Sequence, residues 1–237
     1  MPDDRSAHSV HATFIRAGSQ KVPLALVVTR ERDGRSFSTR QIDAVQQGET
    51  ILQMLASFHI RDGGPQTGLP MADVPPPEAL LDVPSGESSA AALLRARDYP
   101  VTSLSVPLDQ APARRSLDSV MRTWSRSNEV WPDGVAYSAS YVTYLADLRT
   151  GMAALDEPDA SFPPDLAMTS LDHSLWFHDR VSPEEWLLID MRRIAFEGHR
   201  ALVLGTVHTR DGRHVATLTQ ELLARPGRLT GRAGPPG

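Results

Sequence analysis

Four short runs of alternating apolar and polar residues fill the first sixty positions. They read HATFIR, LALVVTR, FSTRQIDAVQ and TILQMLASFH, and the breaks between them are GSQ, RDGR and QQGE. Alternation with a period of two predicts half-buried β-strands, and the glycine-containing breaks predict turns. Residues 1–60 are therefore predicted to form an antiparallel meander.

The alternation stops after residue 60. Residues 61–88, RDGGPQTGLPMADVPPPEALLDVPSGES, are crowded with Pro and Gly and have no periodicity. Such a composition is typical of a linker. A possible short helix, SAAALLRAR, and an irregular stretch follow it. We therefore interpret residues 61–110 as a linker and irregular segment between two structured parts.

A helical pattern appears in the second part, residues 111–226. Asp133 is placed to serve as N-cap, and apolar residues at helical spacing mark one face from Gly134 to about Leu155: Val135, Val142, Leu145 and Met152. Strand patterns surround this helix: SVMRTWSRSN before it, then LAMTSLDHSLWFH, EEWLLIDMRRIAFE, HRALVLGTVHTRDG and RHVATLTQELLAR. An α+β unit whose sheet covers the helix is expected, followed by a disordered tail at residues 227–237.

The two parts show signs of an internal repeat. Each has a turn glycine, Gly48 or Gly212, followed by a long strand with apolar residues at matching offsets. Eight residues beyond the glycine stands Ala56 in the first part and Gln220 in the second. If the parts are related, only the second carries a polar group at this position.

Composition excludes several kinds of function. A net charge of -5 over 237 residues argues against a nucleic-acid or anionic-membrane surface. The chain has no cysteine, so thiolate nucleophiles, disulfides and cysteine-ligated metals are excluded. The charged start MPDDRSAHSV and the absence of a long apolar stretch favour a cytoplasmic protein without a membrane span. Lys21 is the only lysine, a bias typical of high-GC coding DNA and hence of a bacterium.

Several motifs together resemble the acyl-CoA thioesterase II family. They are FIRAGSQKVPLALVVTRERDGRSFSTRQIDAVQQGETILQMLASF, TSLDHSLWFH, EEWLLIDMR and TRDGRHVATLTQELLAR, in that order along residues 10–225. The resemblance implies a double hotdog, an α+β fold in which each half is an antiparallel sheet wrapped around a long helix. In the family, a segment carrying the first helix and a Gly-Gly-Gln signature precedes the point where this sequence begins. The first half is therefore expected to be incomplete. Either the true start lies upstream, or this is a shortened variant with a sheet face that needs cover, as in a homo-oligomer.

The resemblance also implies a catalytic set of Asp147, Ser170 and Gln220. A thioester carbonyl is electrophilic and its thiolate leaves readily, so positioning and activating a water is the main task. Asp147 would take or orient the water's proton, and the other two side chains would hold the water. No metal or cofactor is implied. The oxyanion is expected to meet backbone N–H groups or a side-chain amide, with neither favoured by the sequence.

The motif TSLDHSLWFH offers other chemistry that must be weighed. His173 and His178 are five residues apart, which on a strand places them on opposite faces and disfavours a shared metal. Asp172 and His173 are interpreted as a structural hydrogen-bonding pair. Trp176 is expected to pack on the helix or between the halves.

The expected activity is hydrolysis of acyl-CoA, in particular fatty acyl-CoA, to free acid and coenzyme A. The alternative is a non-catalytic acyl-CoA or lipid-binding hotdog protein, because loss of the first helix could open the acyl tunnel between the halves. A hotdog dehydratase is less favoured, because the helix from Gly134 to Leu155 contains no histidine. Arginines near the second-half elements are the candidates for contacts with coenzyme A: Arg122, Arg126 and Arg149.

Overall fold

The computed structural model describes residues 4–60, 63–81, 100–106, 120–131, 135–154 and 166–226. The first half consists of four strands: β1 (Arg5–Phe14), β2 (Ala25–Asp33), β3 (Phe37–Gln46) and β4 (Glu49–Ile60). A short helix α1 (Pro77–Leu80) follows. The second half contains β5 (Val101–Ser105), β6 (Val120–Ser127), α2 (Val135–Ala154), β7 (Leu166–Ser170), β8 (Asp172–Phe177), β9 (Leu187–Glu197), β10 (Arg200–Thr209) and β11 (His214–Pro226).

All these strands belong to one antiparallel sheet. Its order is β2-β3-β4-β1-β8-β11-β10-β9-β6-β5, and β7 pairs with β11 off this path. The two halves meet where β1 pairs with β8, with Val10 opposite Leu175 and Ala12 opposite His173. The predicted meander of the first half is thus joined edge to edge to the second half by backbone hydrogen bonds.

The α2 helix lies against the second half of the sheet. Its buried face includes Tyr141, Val142 and Leu145, which share a core with Met191 on β9 and Leu218 on β11. Residues three and four apart line one side of a helix, so this spacing gives one continuous apolar face. The prediction of a helix from Gly134 to about Leu155 is confirmed by α2. The opposite side of α2, with Ala139, Thr143 and Asp147, is turned toward the first half.

The first half presents an apolar surface on the same side as α2. Leu26 and Val28 on β2 are 64% and 57% exposed, and they continue the face of Ile42 on β3, to which Val28 is paired. Within residues 4–60 no helix is found. Among the helices that the structure describes, none is long and apolar enough to span a membrane.

Both halves turn between two strands at a glycine, as the repeat predicts. Gly48 and Gly212 have φ values of +82° and +88°, where L side chains are disfavoured. The corresponding residues Ala56 and Gln220 are both buried, at 2% and 0% exposure. They line the side of the sheet that faces α2.

Some features differ from the sequence-based expectation. Residues 101–105, placed in the irregular segment, form β5, because Val101 to Ser105 extend the sheet by pairing with β6. Of the two places expected for Trp176, on the helix or between the halves, the second is confirmed. Trp176 lies on the face of β8 away from α2, is 38% exposed and contacts the ring of His11 on β1 of the first half edge-on at 5.1 Å. The proposed N-cap Asp133, the SAAALLRAR helix and the tail at 227–237 lie outside the described residues. The domain boundaries at 60, 110 and 226 stay predictions.

Alanine substitutions at two glycines test the packing of the strands and the helix, and they are expected to change the free energy of unfolding in opposite directions. A Cβ at Gly205 on β10 would lie 2.9 Å from Met191 Cγ and 3.0 Å from Leu218 Cγ, whereas one at Gly151 on α2 would lie at an ordinary 3.4 Å from Met168 Cε. Gly205→Ala should lower the free energy of unfolding by about 1–3 kcal/mol through overpacking. Gly151→Ala should raise it by about 0.5–1 kcal/mol, because alanine favours helix over glycine. Urea denaturation of both variants measures the two effects, and equal shifts would contradict this account.

Candidate active site

A buried glutamine joins three elements of the second half. Gln220 on β11 is 0% exposed, and its Nε2 donates to Asp147 Oδ1 on α2 at 3.1 Å and to Ser170 Oγ on β7 at 2.7 Å. The structure thus brings all three residues of the expected catalytic set together within hydrogen-bonding distance. No contact between them follows from sequence proximity, because 50 and 73 residues separate the partners of the two bonds.

The position of Gln220 follows from a break between two strands. The β8 strand pairs with β11 as far as Thr219, and β7 pairs with it from Leu222 onward. The chain bends between them at Leu171, whose N–H donates to Glu221 O at 2.8 Å. Ser170 is the last residue of β7 and so stands at this bend, beside Gln220.

The two bonds fix the orientation of the Gln220 amide. A carboxylate only accepts hydrogen bonds, so the group facing Asp147 must be the NH₂. That NH₂ has two hydrogens, and Asp147 and Ser170 take one each. The Oε1 atom is buried and has no partner among the described atoms. It is an acceptor available to a hydrogen-bond donor that enters the site.

Asp147 stands at one end of a groove of about 630 Å³ between α2 and the first half. Apart from α2, the groove is lined by helix-facing residues of β1, β3, β4 and β8. Strand pairing places most of them in rows across the sheet: Phe14 and Leu52; Ala12, Met54 and His173; Val10, Ala56 and Leu175; and Ala7 and Phe58. Phe177 follows Leu175 by two residues on β8 and lines the groove beside the last of these rows. From Asp147 to Ala139 the groove follows α2 for about 12 Å. Its walls are mainly apolar.

The interpretation of Asp172 and His173 as a hydrogen-bonding pair is wrong. Successive residues of a strand point to opposite faces, and Asp172 Oδ1 accepts the N–H of Glu221 at 2.9 Å instead. His173 faces the groove, is 4% exposed, and its Nε2 has no partner among the described atoms. Burial lowers the pKa of His173, and the carboxylates of Asp147 and Asp172 partly oppose this.

None of the three arginines considered for coenzyme A lines the groove. Arg122 forms an ion pair with Asp190 at 2.9 Å, and Arg126 lies over the ring of Trp186 at 4.7 Å. Arg149 is only 3% exposed, and burial lowers its pKa to about 10. An arginine that sequence reasoning missed, Arg5 on β1, lines the groove and donates to the carbonyl of Gly34 at 2.7 Å. No sequence signal distinguishes it, because its place depends on the pairing of β1.

Comparison with known proteins agrees with this arrangement. Residues 73–224 match the family model described as the acyl-CoA thioesterase C-terminal domain, and residues 1–59 match the acyl-CoA thioesterase N-terminal domain. The chain belongs to the acyl-CoA thioesterase family. Acyl-coenzyme A thioesterase 8 of Rattus norvegicus is 32% identical over 243 residues, which cover 95% of this chain and 75% of that protein.

Bacterial members of the family are similar over the same extent. Acyl-CoA thioesterase 2 of Haemophilus influenzae is 27% identical over 236 residues, covering 94% of this chain and 81% of that one. The crystal structure of an acyl-CoA thioesterase II from Mycobacterium marinum superimposes with a TM-score of 0.84 at 31% identity, covering 96% of this chain and 84% of that one. The double hotdog fold expected from the resemblance is confirmed.

The bond from Glu221 to Asp172 should support the strand break beside the site. Asp172→Ala removes the acceptor of a partly buried N–H and should lower the free energy of unfolding by about 1–3 kcal/mol. Asp172→Asn keeps an oxygen at the same place and should retain most of the stability. Urea denaturation of the two variants measures the difference. Equal losses in both would show that the charge of Asp172, and not this hydrogen bond, matters.

Proposed function

We propose that the protein hydrolyses acyl-CoA thioesters, in particular fatty acyl-CoA, to the free acid and coenzyme A. The observation that carries this proposal is the hydrogen-bonded set of Asp147, Ser170 and Gln220 at one end of an apolar groove. Membership of the acyl-CoA thioesterase family supports the reaction, and the groove supports the fatty substrate. The catalytic roles given below are part of the proposal.

The site suits attack by a water molecule. Gln220 holds one oxygen of the Asp147 carboxylate by its Nε2, and the other oxygen remains to accept a proton from water. The second hydrogen of the same water can be accepted by Gln220 Oε1, which has no other described partner. The Ser170 hydroxyl accepts from Gln220 and keeps its own hydrogen to donate to the water oxygen. One lone pair of the water then remains for the carbonyl carbon.

The reaction balances with these groups. The water oxygen bonds to the thioester carbon while Asp147 takes a proton, which leaves a tetrahedral oxyanion. When the oxyanion collapses, the C–S bond breaks and the thiolate of coenzyme A leaves. The proton held by Asp147 returns to the thiolate or to solvent. A good leaving group makes a nucleophilic side chain unnecessary, which is consistent with a site built from a carboxylate, a hydroxyl and an amide.

The groove is proposed to hold the acyl chain. Its rows beyond His173 are made of apolar residues such as Val10, Phe58 and Phe177, and burial of apolar surface stabilises a bound hydrocarbon by about 25 cal/mol per Å². A polar pantetheine arm would gain less from such walls. The thioester would then lie beside Asp147, with the chain directed along α2 toward Ala139.

In the alternative function, a non-catalytic acyl-CoA- or lipid-binding protein would use the same groove but would not hydrolyse the thioester. A homo-oligomer is a further proposal, supported by the exposed apolar residues Leu26 and Val28. The cytoplasmic location expected from the sequence stays a prediction.

Substitution of Asp147 tests whether the protein is a hydrolase or a binding protein without turnover. Asp147→Asn keeps the size of the side chain and removes the proton acceptor, so kcat should fall by about 10²- to 10⁴-fold. Gln220→Ala should also reduce kcat, because the carboxylate and hydroxyl lose their common partner. Release of free thiol from acyl-CoA measures turnover. The control is Asp73→Asn, an exposed carboxylate in the 63–81 segment, which should leave kcat unchanged.

Binding of acyl-CoA by a well-folded unmodified chain without thiol release would support the binding-protein alternative. Unchanged turnover in Asp147→Asn would show that the site assignment is wrong.

A larger side chain inside the groove should change the preferred chain length. Ala56 lies one row beyond His173, about 7 Å further along the sheet. Ala56→Phe should therefore reduce kcat/KM for long acyl-CoA by about tenfold or more, as expected for a loss of roughly 1.4 kcal/mol in binding, and spare short substrates. The control is Leu55→Phe, the neighbouring position on the other face, which is 46% exposed. A uniform loss over all chain lengths would place the acyl chain elsewhere.

A further inference from the structure

His173 is a buried polar group at the site to which the roles above assign no function. It lies on β8, opposite Ala12 of β1, and lines the groove together with Asp147. Leu175 and Leu218 are paired in antiparallel strands. His173 precedes Leu175 by two residues and Gln220 follows Leu218 by two, so both side chains face α2 from neighbouring strands. With 4% exposure and no described partner for Nε2, this ring nitrogen is available to a molecule that enters the groove.

The site needs a hydrogen-bond donor for the oxyanion, and several side chains near Asp147 already donate their hydrogens elsewhere. Both hydrogens of the Gln220 amide are already donated, to Asp147 and Ser170. Thr143, which also lines the groove, donates its hydroxyl hydrogen to the Ala139 carbonyl at 2.8 Å. The hydroxyl hydrogen of Ser170 is used to hold the water. These hydrogens are therefore not available to the carbonyl oxygen, whereas Nε2 of His173 lines the same groove without a described partner.

We propose that His173 supplies this donor, with its Nε2–H directed at the thioester carbonyl oxygen and at the oxyanion that forms there. The inference rests on the proposed hydrolase function and deepens it, since it assigns a group that touches the reacting atoms. It also replaces the backbone N–H groups or side-chain amide expected from the sequence with an imidazole.

The charge of the ring fits this role. Burial lowers the pKa of His173, so the neutral form predominates at neutral pH, although Asp147 on α2 and Asp172 on the same strand oppose the shift. A neutral imidazole donates a hydrogen bond without giving up its proton, and such donors stabilise enolate and oxyanion charge in other enzymes. The proton of the leaving thiol then comes from Asp147 or solvent, and His173 is unchanged through the cycle. The role requires the tautomer with hydrogen on Nε2, which also avoids directing a lone pair at a site that contains a carboxylate.

The test compares two replacements that differ in having a donor. His173→Leu fills the space with an apolar group and should reduce kcat by about 10²- to 10³-fold, the usual effect of losing one oxyanion donor. His173→Gln can place an NH₂ near the position of Nε2 and should recover a large part of that loss. KM should change little in either variant, because the interaction strengthens in the transition state.

Two inhibitors separate an oxyanion role from a structural one. The probes are acyl-CoA analogues in which the thioester is replaced by a trifluoromethyl ketone, whose hydrate has an oxyanion-like oxygen, or by a thioether without a carbonyl group. His173→Leu should weaken binding of the ketone by a factor similar to its loss in kcat/KM and leave binding of the thioether unchanged. Equal weakening of both would overturn the proposal in favour of a structural role.

The tautomer in the unmodified protein gives an independent measurement if a variant fails to fold. The ¹⁵N resonance of His173 Nε2 should be that of a protonated nitrogen in a neutral ring, and an unprotonated Nε2 would overturn the proposal. Loss of turnover in Asp147→Asn with normal kcat in His173→Leu would overturn the role of His173 alone. Absence of thiol release by the unmodified chain would overturn the proposed function and this inference together.

Discussion

The packing of α2 on the second half of the sheet determines where the proposed active site lies. The apolar face with Tyr141, Val142 and Leu145 must be covered, and the strands around Met191 and Leu218 cover it. Once this face is buried, residues on the opposite side of the helix point away from the second half of the sheet. Asp147 must then face the first half, which β1 holds in place by its pairing with β8. The groove and the carboxylate at its end are thus consequences of burying one helix face.

Within this arrangement, Gln220 is a buried polar residue whose hydrogen bonds are only partly satisfied. Its side chain is completely buried, and its Oε1 lacks a described partner. Leaving a buried acceptor unsatisfied costs about 1–3 kcal/mol. The two bonds donated by Nε2 offset part of this cost and hold Asp147 and Ser170 in one geometry. A buried acceptor without a described partner suits the role proposed for Gln220, which is to accept a hydrogen bond from the attacking water.

Much of the fold was accessible from the sequence, because it depends on local patterns. Alternation, turn glycines and helical spacing predicted β1 to β4, the turn at Gly48 and the helix α2. The expected catalytic set came from the resemblance, since none of Asp147, Ser170 and Gln220 is distinctive by its type. The structure adds that Gln220 forms hydrogen bonds to both of the others, which requires α2, β7 and β11 to meet.

What was missed depends on long-range pairing. The strand β5 has a weak local pattern and exists because β6 offers it an edge. Trp176 was expected between the halves and is found there, but its partner His11 was not predicted, because it depends on the pairing of β1 with β8. For Asp172 and His173 the error was different: both are polar and adjacent, but the strand turns one toward Glu221 and the other into the groove. The alternation of side chains along a strand predicts opposite faces for these two residues. The interpretation as a pair relied instead on their being adjacent in sequence.

Ala56 and Gln220 occupy matching positions in the two halves but have different surroundings. Both residues follow a positive-φ glycine by eight positions and face the helix side of the sheet. In the second half this position carries an amide and gathers the carboxylate and hydroxyl around it. In the first half it carries a methyl group that forms part of the apolar wall. A second polar centre there would introduce a desolvation cost on the path proposed for the acyl chain. This asymmetry between the halves is consistent with the proposal that the first half binds the hydrocarbon while the second acts on the thioester.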